Sequence, residues 1–146
     1  MINITFELNL IDEDISDFEL GNISFNVNGD QISSKGNNPD QSFMIFISLV
    51  DLLDGIQDYM KNQKRQKKYV FKASDSSFDV LFEIKKSDIY IKYQKQTLKE
   101  KLNIFLYELY NSSNAFYKEH LALITDKSGV FQDLEKSLSR FKKLIK

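Results

Sequence analysis

The chain has 146 residues, 42% of them hydrophobic, with one proline and no cysteine; this suits one globular domain with a continuous core and excludes a disulfide framework and thiolate chemistry. The formal net charge of −1 conceals a division: through Met60 eleven acidic residues face the single Lys35, so the first part carries roughly −10 and the remainder roughly +9. The start, MINITFELNL, lacks the basic region of a signal peptide, and no apolar run approaches the roughly twenty residues that span a bilayer, so a soluble, cytoplasmic protein is expected.

Residues 2 to 10 alternate Ile2, Ile4, Phe6, Leu8, Leu10, the period of a half-buried strand. In NISFNVNGDQISS, Ile23, Phe25 and Val27 alternate up to Asn28-Gly29, a pair that supplies the positive φ of a tight hairpin turn. KGNNPDQ reads as loop, with Asp40 or Ser42 placed to cap the helix that follows. That helix, from about Ser42 to Asn62, carries Ile45, Phe46, Leu49, Leu52, Leu53, Ile56, Tyr59 and Met60 on one face, with Gly55 as its weak point. KYVFKA, FDVLFEIK and DIYIKYQ follow as strands of an antiparallel meander. From about Thr97 the spacing predicts a long helix through Leu98, Leu102, Phe105, Leu106, Leu109, Phe116 and Leu121, bent at the polar NSSN of 111 to 114. Ser128-Gly129 interrupts, and Phe131, Leu134, Leu138, Phe141 and Ile145 space out a C-terminal helix over about 130–145.

A shift of 57 residues lays 22–61 on 79–118 without a gap, placing Phe25 on Phe82, Ile32 on Ile89, Leu49 on Leu106 and Leu52 on Leu109. Either two hairpin-helix units with one burial pattern converged, or they share an ancestor. The expected architecture for residues 1–146 is a single α+β domain: an antiparallel sheet of about five or six strands, one inserted helix and a helical C-terminal part.

Asp51, Asp54 and Asp58, spaced three then four, project from one side of the first helix. They read as a solvated face or an acidic partner-binding face; a metal site of this type recruits Glu-x-x-His pairs from neighbouring helices, and none occurs. IDEDISDFEL, residues 11 to 20, adds Asp12, Glu13, Asp14, Asp17 and Glu19 without the glycine-centred pattern of a calcium loop. Lys61, Lys64, Arg65, Lys67 and Lys68 precede Tyr69 and Phe71. Charge with aromatics suits nucleic acid, but these lysines follow a helix C-terminus, where cations are locally favourable, and a solvated connector is the leading reading. His120 has no second histidine or cysteine to complete a metal or nucleophile pair, and neither a G-x-S-x-G elbow nor a P-loop is present. No catalytic residue, metal site or cofactor is therefore expected. Tyr107, Tyr110 and Tyr117 are candidate interface anchors.

Taken together, ISFNVNGDQIS, FMIFISLVDLLDGIQDYM, YVFKASDSSFDVLFEIKKSDIYIKY and LKEKLNIFLYELYNSSNAFYKE resemble small bacterial immunity proteins of polymorphic-toxin and contact-dependent-inhibition systems, including those paired with cell-wall-associated toxins of the WapA type. The resemblance covers about residues 20 to 120 and lies in element order and apolar pattern. It implies a cytoplasmic, non-enzymatic protein that binds one toxin domain and blocks its active site. Many such toxins are nucleases with basic clefts, which an acidic surface complements. Asp51, Asp54 and Asp58, with Asp12, Glu13, Asp14 and Asp17 as a second cluster, are the residues expected to meet that partner. Two alternatives are a nucleic-acid-binding accessory protein using the basic segment 61–72 and a self-associating module.

Overall fold

The computed structural model describes residues 1–9, 14–36, 41–124 and 129–145. Eight strands and three α-helices run in the order β1 (Ile2–Leu8), β2 (Leu20–Val27), β3 (Asp30–Ser33), β4 (Phe43–Met44), α1 (Ile45–Lys61), β5 (Tyr69–Lys72), β6 (Asp79–Lys85), β7 (Asp88–Tyr93), β8 (Gln96–Lys101), α2 (Leu102–His120) and α3 (Val130–Lys142). Every strand pairing is antiparallel, and the class is α+β.

The strands divide into two four-stranded sheets. In the first, β1-β2-β3 lie in order and β4 adds to β2; the second is the meander β5-β6-β7-β8. Asn28 and Gly29 both have positive φ, 52° and 91°, as a two-residue turn matched to strand twist requires. Alternation then sends Ile2, Ile4, Ile23, Phe25, Val27 and Ile32 to the inner face of the first sheet. Phe71, Val80, Phe82, Ile89, Ile91 and Leu98 do the same in the second. The inner faces meet at the edge-on pair Phe25–Phe82, ring centroids 5.9 Å apart. The helices close the same core: Phe46 of α1 stacks on Phe116 of α2 at 5.4 Å and meets Phe131 of α3 edge-on at 5.1 Å. Each such ring, fully buried, contributes about 1.5–3 kcal/mol relative to exposure.

Each of the first two helices packs against the opening strand of the sheet that does not precede it, while α3 packs on α1 and α2. α2 lies along β1, whose outward N–H groups it helps satisfy: Glu108 Oε2 accepts from Ile4 N at 2.9 Å, while Glu100 Oε2 of β8 accepts from Ile2 N at 2.7 Å. An open strand edge is thereby covered. α1 lies along β5 because Gly55 has no side chain; a Cβ there would overlap the Tyr69 ring. Tyr69, itself stacked on Phe82, donates its hydroxyl to the Asp51 carbonyl at 3.2 Å.

Four local expectations are corrected. α1 begins at Ile45, not near Ser42, because Phe43–Met44 pairs with β2 first; the cap is a backbone bond, Ile45 N to Glu19 O at 3.0 Å, with no side-chain cap. Asp40 lies outside the described residues. Residues 97 to 101, read as the start of the long helix, belong to β8, with Leu98 paired to Ile91. The 111–114 segment does not bend α2, which runs unbroken from Leu102 to His120, with Ser112 Oγ donating to Glu108 Oε2 at 2.9 Å. Among the described residues the strands number eight in two sheets, because β4 and β8 are too short or too polar to stand out locally.

Candidate functional site

The outer side of α1 is where the sequence concentrates carboxylates, and the structure separates their roles. Asp51 and Asp58 are exposed. Asp54 is engaged: its Oδ1 accepts from Ser137 Oγ at 2.6 Å and from Arg140 Nη2 at 3.0 Å, both on α3. Beside it the buried Gln57 donates Nε2 to the carbonyls of Leu53 and Ser137 at 3.2 and 3.4 Å. Asp54 is thus a tie between two helices, half neutralised by Arg140. A shallow depression of about 200 Å³ between Asp54, Gln57, Asp58, Lys61 and Arg140 marks the mixed-charge end of the stripe.

Asp54 also acts on Asp51, and all three carboxylates act on Tyr69. Asp51 titrates above its ordinary range, through partial burial first and the neighbouring Asp54 second. The Tyr69 hydroxyl is pushed further upward, by burial first and then by Asp51, Asp54 and Asp58 together. The negative potential of the stripe therefore reaches the Tyr69 hydroxyl.

The second acidic cluster lies elsewhere. Asp12 and Glu13 fall outside the described residues. Asp14 is exposed, while Asp17 is half-buried with its carboxylate beside Gly129, immediately before α3. The segment is tied down by Ile15 N donating to Leu123 O at 3.0 Å. It presents Phe18 at 67% exposure and Leu20 at 42%. Asp17 sits by Gly129, the residue before α3, and Asp54 by Arg140 near the last turn of that helix, so about 16 Å along the helix separates the clusters. The fold does not merge them into one site.

The connector 61–68 is solvated at Lys61, Lys64, Arg65, Lys67 and Lys68. It is pinned from inside by Tyr59, whose hydroxyl donates to Lys67 O at 2.9 Å and accepts from Ile84 N at 2.8 Å. His120 is buried, with Nδ1 2.9 Å from Phe116 O and its ring against Phe116. Of the three tyrosines on α2, Tyr107 is exposed, Tyr110 is half-buried, and Tyr117 is buried with its hydroxyl donating to Glu135 at 2.6 Å. Among the described residues, no group of three or more His, Asp or Glu is placed to hold a metal ion, and no helix is long and apolar enough to cross a membrane.

Sequence reasoning missed the outward lysines of the second sheet: Lys72, Lys85, Lys92, Lys99 and Lys101, with Tyr90 among them. The signal was the period-two spacing of Lys99 and Lys101 and of Tyr90 and Lys92, legible only once β8 is a strand. No protein-family model, curated protein or solved structure matches the chain.

Proposed function

We propose that the chain is a non-enzymatic immunity protein that binds a cognate bacterial toxin domain in the cytoplasm. In this reading Asp51 and Asp58 on α1 meet the partner, and Asp54 anchors the face to α3. The carrying observation is that two carboxylates on one side of a well-buried helix stand in solvent while the third fixes the helix to its neighbour. A rigid element presenting like charge has an electrostatic cost that an oppositely charged partner relieves, and a cleft built for phosphates is such a partner. The element order and apolar pattern of residues 20 to 120, similar to those of immunity proteins, support the same reading.

The test uses a purified toxin domain encoded beside this gene, with affinity measured by calorimetry at two salt concentrations. Asp51→Lys with Asp58→Lys is expected to weaken binding about 100-fold, or about 2.7 kcal/mol, with an unchanged circular-dichroism spectrum. Unaltered affinity in the folded double variant would show that this face is not the interface.

A further inference from the structure

The outer face of the second sheet carries chemistry that the acidic reading does not use. Side chains pointing away from the core form cross-strand rows: Val70, Leu81, Lys92 and Thr97; Glu83, Tyr90 and Lys99; Lys85, Asp88 and Lys101; and the pair Lys72 and Asp79. Burial alternates along these strands, and the inner positions face the helices, so among the described residues this face is uncovered. Because α1 packs on the inner side, the face is separated from Asp51 and Asp58 by the sheet itself.

Five lysines stand here against three carboxylates, and Lys68 and Lys86 extend the rim. Glu83 pairs with Lys92 at 2.7 Å. Asp88 is shared by Lys101 at 3.2 Å and Lys99 at 3.7 Å, although its Oδ1 receives no aligned hydrogen bond, so these contacts are loose ion pairs. Lys68, Lys72, Lys85 and Lys86 form no ion pair with the described residues. Lys68 is exposed and directly precedes β5 at the edge of the same sheet, and Glu83 is held below its ordinary range by its hydrogen bond with Lys92 first, with Lys85 and Lys68 adding to it. The last lysine of the connector thereby joins the basic patch of the sheet. At its centre, on an interior strand, the Tyr90 ring has Lys85 Nζ 5.4 Å and Lys99 Nζ 5.9 Å from its centroid.

We propose that this face binds single-stranded nucleic acid, with Lys68, Lys85, Lys99 and Lys101 neutralising phosphates and Tyr90 offering its ring to a base. The four strands span about 14 Å, an open platform over which a single strand can lay backbone and bases together. A duplex exposes its base edges only within grooves, which admit a helix or a two-stranded ribbon and not the face of a four-stranded sheet. A charged platform with a central ring and few exposed apolar side chains matches a strand better than a lipid surface.

The test is fluorescence anisotropy of the full chain with a labelled oligothymidylate of about twelve nucleotides at about 50 and 200 mM salt. Saturable binding that weakens with salt is expected. Lys85→Gln with Lys99→Gln should weaken it at least tenfold, whereas Lys142→Gln with Lys143→Gln, which removes the same charge from the end of α3, should change it less than about twofold. Tyr90→Leu keeps the charge and removes the ring; a loss of about fivefold or more is expected. Unchanged melting of each variant shows that it is folded. The proposal is overturned by absence of binding at the lower salt, by equal losses in the two lysine variants, by tighter binding of a duplex of equal length, or by polyglutamate competing as well as the oligonucleotide, which would assign the face to an acidic protein.

Discussion

The two halves of the chain pass through the same order, four strands and then a helix, yet they use equivalent positions for different ends. α1 and α2 begin 57 residues apart, at Ile45 and Leu102, so Asp51 and Glu108 are each the seventh residue of their helix and Gly55 and Ser112 the eleventh. Glu108 is consumed in capping the N–H of β1, whereas Asp51 stands exposed and only its carbonyl is used, by Tyr69. Ser112 keeps a side chain because α2 reaches β1 through a carboxylate; Gly55 has none because α1 reaches β5 through a tyrosine ring. The outer faces of the sheets differ as well. On the first, Asn22, Ser24 and Ser34 are buried in a neutral hydrogen-bonded lattice that includes Ser24 Oγ and Ser33 Oγ 2.7 Å apart and Ser34 Oγ donating to Asn22 Oδ1 at 2.8 Å. The second presents lysines. A shared order of elements thus fixes which residues are buried and leaves the outward chemistry of each half free to diverge.

The sharpest way to break this comparison is at the eleventh helix position. Gly55→Val forces a branched side chain into the Tyr69 ring and is expected to cost about 3 kcal/mol, read by chemical denaturation, while Ser112→Val at the equivalent turn of α2 costs distinctly less. Combining Gly55→Ala with Tyr69→Leu should recover much of the loss caused by Gly55→Ala alone, because the clash is pairwise.

A smaller effect is expected at the seventh position. Glu108→Ala strands the N–H of Ile4 and the hydroxyl of Ser112, at a cost of about 2 kcal/mol. Glu108→Gln keeps an acceptor and should cost less than half as much. Hydrogen exchange at Ile4 offers a local readout: its protection falls in the alanine variant if the carboxylate is the cap.

The smallest effect belongs to Asp51, and it carries a pH signature. Its folded-state pKa lies above the ordinary value of 3.8, from burial first and Asp54 second, so the folded form holds more protons between the two values and loses stability as pH rises through that window. Asp51→Asn should therefore stabilise the protein at neutral pH by about 0.3 kcal/mol and change nothing below the ordinary carboxylate range. Melting curves across acidic pH would check this; a destabilised variant at neutral pH would mean that the carboxylate is paired.

The sequence by itself determined the α+β class, the Asn28-Gly29 hairpin, the buried faces of α1 and α3 and the division of charge between the halves. Each is a local matter, since alternation, helical spacing and turn chemistry are set by neighbours within a few residues. Only the tertiary structure decided that there are two sheets, that Leu98 belongs to a strand, that Asp54 is tied to Ser137 and Arg140, and that Lys85, Lys99 and Lys101 surround Tyr90. QTLKEK carries too few apolar residues to announce a strand, and β7 makes it one through six registered pairings. Likewise, whether a carboxylate is free or bound depends on a partner up to 86 residues away, and spacing along one helix carries no record of what the fold brings to its other side.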